Sequence, residues 1–224
     1  MAALDPTRYA LLVFDWDGTL MDSGAYIVEC IKKAANDLQI EFPDDNKIRN
    51  IIGLSLAIGV QVLFPQLSES EHEALTLRYR EHFFSAVPRP IQLFAGATTT
   101  LAQLKQAGFL LAIATGKSRR GLDEDLQFTK LTPFFHATRC AEETTSKPDP
   151  QMLLELLTEM DIAPNKALVI GDTEYDIQMA NNAGVDAVGV SYGMHDKQRI
   201  LASGAKACID DIALLLQWLI NDNS

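Results

Sequence analysis

Four short stretches of the chain are apolar at consecutive positions and then break at once into polar or glycine-rich sequence: 10–14 (ALLVF), 109–114 (FLLAIA), 167–170 (ALVI) and 187–190 (AVGV). Strands that are apolar on both faces suit a parallel sheet covered by helices, whereas a half-exposed sheet alternates apolar and polar positions. Helical periodicity fills the intervals. The segment 97–107 ends at Gly108, a residue type favoured just past a helix end. The segment 150–160 opens with Pro150 in its first turn, and 175–183 stops at Gly184. Strand and helix in alternation predict an α/β fold with a doubly wound parallel sheet. Residues 134–139 and 206–209 are weaker strand candidates.

One segment breaks this rhythm. From Ser23 to about Pro90 the sequence offers helical patterning and no buried strand. Ile27, Ile31, Ala34, Ala35 and Leu38 form one apolar stripe. Asp22 or Ser23, then Asp44 or Asp45, then Ser68 are candidate N-caps. The stretch 68–87 reads as a longer charged helix, with Pro88 and Pro90 at its exit. A core of residues 1–20 and 91–224 with an inserted helical unit at 21–90 is therefore expected, and 224 residues suffice for both.

Composition narrows the partners. Thirty acidic residues against 19 Lys and Arg give a net charge of −11, which disfavours nucleic acid and anionic membranes as partners. No apolar run approaches the roughly 18–20 residues of a membrane span. The N-terminal stretch lacks the basic and long apolar regions of a secretory signal, so a cytoplasmic location is expected. Cys30, Cys140 and Cys208 match neither a disulfide framework nor a zinc pattern and are expected to be buried reduced thiols. His72, His82, His136 and His195 are scattered without metal-ligand spacing. The expected assembly is a monomer or homodimer.

The polar residues that follow the strands carry the chemistry. Asp15-Trp16-Asp17-Gly18-Thr19-Leu20 follows the first run, and Thr115-Gly116-Lys117 follows the second. Ser146-Lys147-Pro148-Asp149-Pro150 stands at the mouth of a helix, and Gly171-Asp172-Thr173-Glu174-Tyr175-Asp176 follows the third run. In open parallel sheets ligands bind at the carboxyl ends of strands. In this order, DWDGTL, ATGKS, KPDP and GDTEYD resemble the motifs of the haloacid dehalogenase (HAD) superfamily along essentially the whole chain. The helical insert directly after the first motif is similar to the small helical cap of the subgroup that holds phosphoglycolate phosphatases and β-phosphoglucomutases. The resemblance implies a Rossmann-like core, a phosphatase acting on a small phosphorylated metabolite, and Mg²⁺ as cofactor.

Chemistry assigns roles to these residues. A phosphate monoester dianion repels nucleophiles, so the site must supply positive charge together with an attacking atom. Asp15 is the candidate nucleophile, forming an aspartyl-phosphate that splits one hard step into two. Asp17 is the candidate acid and base. Asp15, the Asp17 main-chain carbonyl and Asp172 are candidate ligands for Mg²⁺, which favours oxygen. Lys147 would balance the carboxylates and bind the phosphoryl group, with Thr115 and Gly116 donating hydrogen bonds to it. Asp176 either supports this site, by the metal or by orienting Lys147, or serves as a helix N-terminal carboxylate. Lys117 and Ser118 are expected at the surface, Trp16 in the core, and Asp22 at a helix cap.

Departures from neighbouring families refine the expectation. Dehalogenases of the superfamily lack the second motif aspartate, which is present here as Asp17. β-Phosphoglucomutases carry a cap histidine where this chain has Ile27, which favours hydrolysis over a mutase. Phosphonate hydrolases of similar build use a cap lysine, and nothing singles out Lys32 or Lys33. A non-catalytic phospho-ligand binder would not need Asp15 and Asp17 together. Arg49, Gly53 and Ser55 resemble the cap's specificity loop, where Arg49 either meets a second anionic group or is a solvated helix-end residue. Cap hinges are expected near 20–23 and 87–91.

Overall fold

The structure, a computed structural model, describes residues 4–86 and 89–222. Val87 and Pro88, within the expected second hinge and helix exit, lie outside the described residues. Eight strands are present among those described: β1 (Leu11–Phe14), β2 (Met21–Asp22), β3 (Gln92–Leu93), β4 (Leu110–Thr115), β5 (Ala137–Cys140), β6 (Ala167–Gly171), β7 (Asp186–Val190) and β8 (Ala207–Ile209). Six of them form one sheet in the order β5-β4-β1-β6-β7-β8, and every pairing in it is parallel. The four apolar runs are its four central strands, and the two weaker candidates are its edges.

The pleat sends alternate residues to opposite faces. Leu12, Phe14, Leu111, Ile113, Leu168 and Ile170 point into one core, together with α5 (Ala97–Gln106), α6 (Arg119–Thr129) and α10 (Leu214–Asp222). Leu11, Val13, Ala112, Ala114, Ala167 and Val169 point into the other, against α7 (Gln151–Glu159), α8 (Glu174–Asn182) and α9 (Lys197–Ala202). Large side chains therefore face one helix layer and smaller ones the other. This is why the runs look uniformly apolar in sequence.

From β1 the chain fills β4 and β5 on one side, then returns to fill β6, β7 and β8 on the other. The carboxyl ends of β4, β1 and β6 thus flank the point where strand order reverses, the position at which such sheets bind ligands.

Residues 21–90 hold the expected helices: α1 (Gly24–Asp37), α2 (Asp45–Asn50), α3 (Leu56–Leu63) and α4 (Glu69–Ser85). Ile27, Ile31, Ala34 and Ala35 are buried on α1, which packs against α4. Asp44 caps α2, accepting from the Asn46 and Lys47 amides. The Ser68 amide and hydroxyl both donate to Glu71 at the start of α4. The entry and exit of this segment pair with each other, Met21 with Leu93 and Asp22 with Gln92, as a two-residue antiparallel ladder. A stretch that short carries no readable periodicity, so only its pairing in the fold identifies it.

Candidate active site

Asp15 is the first residue past β1, and its amide still pairs with the Ile170 carbonyl at 2.9 Å, so the sheet itself fixes its backbone. A tight turn follows, in which the Leu20 and Met21 amides both donate to the Trp16 carbonyl. Gly18 has φ +92°, and a Cβ there would stand 2.2 Å from Asp172 Oδ2. Glycine at this position both makes the turn and leaves room for the Asp172 carboxylate. Asp172 is the first residue past β6, Thr115 ends β4, and Lys147 arrives on the loop after β5.

These side chains converge. Lys147 Nζ donates to Asp15 Oδ1 at 2.7 Å and to Asp176 Oδ1 at 2.6 Å, and all three groups are buried. Asp15 Oδ2 is buried and has no hydrogen-bond partner among the described residues. Asp172 accepts from the Thr19 hydroxyl and the Met194 amide, each at 2.8 Å. Asp176 Oδ2 accepts from the Thr173 amide and hydroxyl, which closes a capping box at the start of α8. Asp176 thus serves as helix cap and as the second anchor of Lys147 at once.

Carboxylate oxygens of Asp15, Asp172 and Asp176 lie within 4.8 Å of one another. Burial pushes the Asp15 carboxyl up to about 7, although the Lys147 ammonium pulls the other way. Burial, reinforced by Asp15 and Asp176, likewise raises Asp172. Three ionised carboxylates against one ammonium leave two uncompensated negative charges in a buried pocket, a costly arrangement without a further cation. The donors are all hard oxygens. The cluster fits a divalent cation such as Mg²⁺.

Lys117 corrects the sequence reading. It is buried, not solvent-facing, and its ammonium sits 3.0 Å from both Asp17 carboxylate oxygens and 3.3 Å from Asp125 Oδ2. Burial alone would lower it, but Asp17 and Asp125 outweigh that and hold it above its ordinary value. Asp125 also accepts from Trp16 Nε1 at 3.0 Å and from Arg89 at 2.5 Å. Trp16 is fully buried, as expected. Ser23 stands at the cap position of α1 but makes no capping bond; its hydroxyl donates to Asp17 Oδ1 at 2.6 Å. Asp17 therefore stands apart from the acidic cluster, held by Lys117 and Ser23. Ser118 is half-buried and caps α6. Cys30 and Cys140 are buried free thiols, while Cys208 is only partly buried.

A cavity of about 200 Å³ is lined by Asp15, Asp17, Thr115, Gly116 and Lys117. Gly53 and Ser55 of the helical segment line it, and Arg49 does not. Arg49 Nη1 instead lies 4.0 Å from Met194 Sδ. The segment touches the core closely: a Cβ on Gly116 would meet the Leu54 carbonyl oxygen at 2.4 Å. The Ser55 amide donates to Ser146 Oγ at 2.8 Å, and Tyr175 Oη donates to the Asn50 carbonyl at 3.0 Å. His195, buried, accepts the Glu174 amide through Nδ1, which leaves Nε2 to donate to the same Asn50 carbonyl. Burial lowers this imidazole.

A family model described as haloacid dehalogenase-like hydrolase matches residues 12–190. The protein named "Probable phosphatase IndB" from Dickeya dadantii is 32% identical over 205 residues, covering 89% of each chain. A phosphoglycolate phosphatase from Psychrobacter arcticus is 31% identical over 220 residues, covering 94% of this chain and 95% of that one. The crystal structure of a haloacid dehalogenase-like hydrolase from Bacteroides fragilis superposes with a TM-score of 0.87 at 27% identity, over 93% of this chain and all of the other. Among the described residues no helix is long and apolar enough to cross a membrane.

Proposed function

The chain belongs to the haloacid dehalogenase-like hydrolases, and we propose that it is a Mg²⁺-dependent phosphatase that releases phosphate from a small phosphorylated metabolite through an aspartyl-phosphate on Asp15. The observation that carries this reading is the state of Asp15. One oxygen is anchored by Lys147, and the other is buried without a partner, on a residue that lines a cavity. A structural carboxylate would have both oxygens satisfied.

Asp15 and Asp172 would hold the cation, with the Asp17 main-chain carbonyl; Asp176 fixes Lys147 beside them. When bound, the ion supplies positive charge against the phosphoryl oxygens. Asp15 Oδ2 attacks phosphorus, and the bond from phosphorus to the ester oxygen breaks. Asp17 hands its proton to the departing alkoxide. Asp17 then takes a proton from water, whose oxygen attacks phosphorus and displaces Asp15 Oδ2 to give inorganic phosphate. Thr115, the Gly116 amide and Lys147 bind the phosphoryl oxygens in both halves. Residues 21–90 act as a cap that keeps bulk water out during the first half. Ile27 lines the cavity where mutases of similar build carry histidine, which supports hydrolysis over phosphoryl exchange.

The test is phosphate release from p-nitrophenyl phosphate with Mg²⁺ and with EDTA. The wild-type protein should turn over only with the metal, and Asp15→Asn should lower kcat by about a thousandfold or more. Equal rates in wild type and Asp15→Asn would overturn the reading.

A further inference from the structure

The alcohol released by this chemistry is read from the walls of the cavity. With Asp15, the cavity is lined by Ile27, Ile31, Ile52, Leu54, Tyr79 and Phe83. The Tyr79 and Phe83 rings stack at 5.6 Å and 25°, and Phe84 meets Phe83 edge-on at 5.3 Å, so α4 presents a continuous aromatic wall. Two cations line the cavity among the described residues, one buried and paired, the other half exposed at 4.0 Å from an equally exposed carboxylate. Lys117 lies between Asp17 and Asp125. Arg80, half exposed at the rim, is 4.0 Å from Glu142, which lines the same rim. Arg49, the sequence candidate for a second anion, does not reach the space.

A second carboxylate or phosphate on the substrate would thus lose its hydration without gaining a buried unpaired cation. An apolar cavity of about 150 Å³ takes up benzene, so 200 Å³ leaves room for one ring beside a phosphoryl group. The wall carries one polar feature of note. The Tyr79 hydroxyl makes no hydrogen bond among the described residues, although its ring borders the cavity; burial, with Asp17 nearby, keeps the phenol protonated and able to donate.

Resting on the phosphatase reading above, we propose that the natural substrate is the phosphomonoester of a neutral, single-ring alcohol whose ring lies against Tyr79 and Phe83 and offers a hydrogen-bonding atom to Tyr79. Substrates with a second anionic group, such as 2-phosphoglycolate, are disfavoured.

Three alkyl phosphates separate the contributions: ethyl phosphate, benzyl phosphate and 2-phosphoglycolate, each assayed for kcat/KM with saturating Mg²⁺. Benzyl phosphate should exceed ethyl phosphate by about tenfold or more, the range for filling an apolar pocket, and 2-phosphoglycolate should not exceed ethyl phosphate. Phe83→Leu, which retains apolar packing, should reduce the benzyl-to-ethyl ratio about threefold or more. Wild type should prefer 3-hydroxybenzyl over benzyl phosphate, and Tyr79→Phe should erase that preference. Hydrolysis with 2-phosphoglycolate ahead of benzyl phosphate, or with ratios unmoved by both substitutions, would overturn this inference and leave the phosphatase reading standing. No hydrolysis of any ester would remove both.

Discussion

Lys117 shows how one buried ammonium can join two tasks. It neutralises Asp17, the proposed acid and base, and Asp125, the carboxylate that also binds Trp16 and Arg89. Its ammonium also lies 4.6 Å from the centre of the Phe83 ring, so it joins the loop after β4 to α4. Taking away one partner of a buried pair leaves the others uncompensated, at a cost of about 3–5 kcal/mol. Lys117→Met should therefore lower the denaturation midpoint markedly and, by freeing Asp17, lower kcat about tenfold or more. The double variant with Asp17→Asn distinguishes packing from placement of the acid. If Lys117 positions Asp17, the stability cost of Lys117→Met should shrink by about 1–3 kcal/mol in that background; an unchanged cost would refute the pairing. The sequence could not show this arrangement. Asp17 is 100 residues from Lys117, and an ion pair between distant loops leaves no periodic trace. The only available signal was the position of Lys117 two residues beyond a strand end.

Between the elements, the decisive contact is the approach of the helical segment to the loop after β4. Gly116 faces the Gly53 and Leu54 carbonyls, and a Cβ would stand 2.6 and 2.4 Å from their oxygens. Those are backbone atoms and cannot turn aside as a side chain would. Gly116→Ala should leave the sheet intact, because Gly116 lies past the end of β4, but hold the 53–54 backbone away from the loop. The expected result is a fall in kcat/KM of about tenfold or more with a small change in melting temperature, and faster amide exchange across residues 50–55. Wild-type turnover in this variant would show that the close approach is dispensable. The layered sheet that carries the loop was legible because four runs are apolar on both faces, and its helices ended where glycines stood, at Gly108 and Gly184. The two-residue strands on either side of the helical segment were not legible, since Met21–Asp22 and Gln92–Leu93 acquire meaning only by pairing with each other. The motif residues meet for a simpler reason: Asp15, Thr115 and Asp172 stand at strand ends, and parallel strands end on the same side.

Across the protein, charge sets a tension that a cation resolves. The chain carries a net −11, and its most buried polar cluster adds like charges at Asp15, Asp172 and Asp176 around one lysine. Asp15 is raised to about 7, and Asp172 is raised with it. For a carboxyl raised in the folded state, the unfolded chain releases its proton first. The associated stability is full below about pH 4 and is lost as pH rises towards 7. In EDTA, this cluster should therefore lower the melting temperature between pH 5 and pH 8, and Mg²⁺ should offset the loss most strongly at pH 8. At a hundredfold excess over its dissociation constant a ligand adds about 2.7 kcal/mol, or about 5–10 °C for a chain of this size. Asp172→Asn removes one of the competing charges and one proposed ligand. Its melting temperature in EDTA at pH 8 should equal or exceed that of wild type, while its response to Mg²⁺ should nearly vanish. A variant that kept the full Mg²⁺ response would show that the cation is held elsewhere, because both neighbours can stay bonded: the Asn oxygen accepts from the Met194 amide, and the Thr19 hydroxyl, which donates to the other carboxylate oxygen in the native site, can turn to accept from the Asn NH₂.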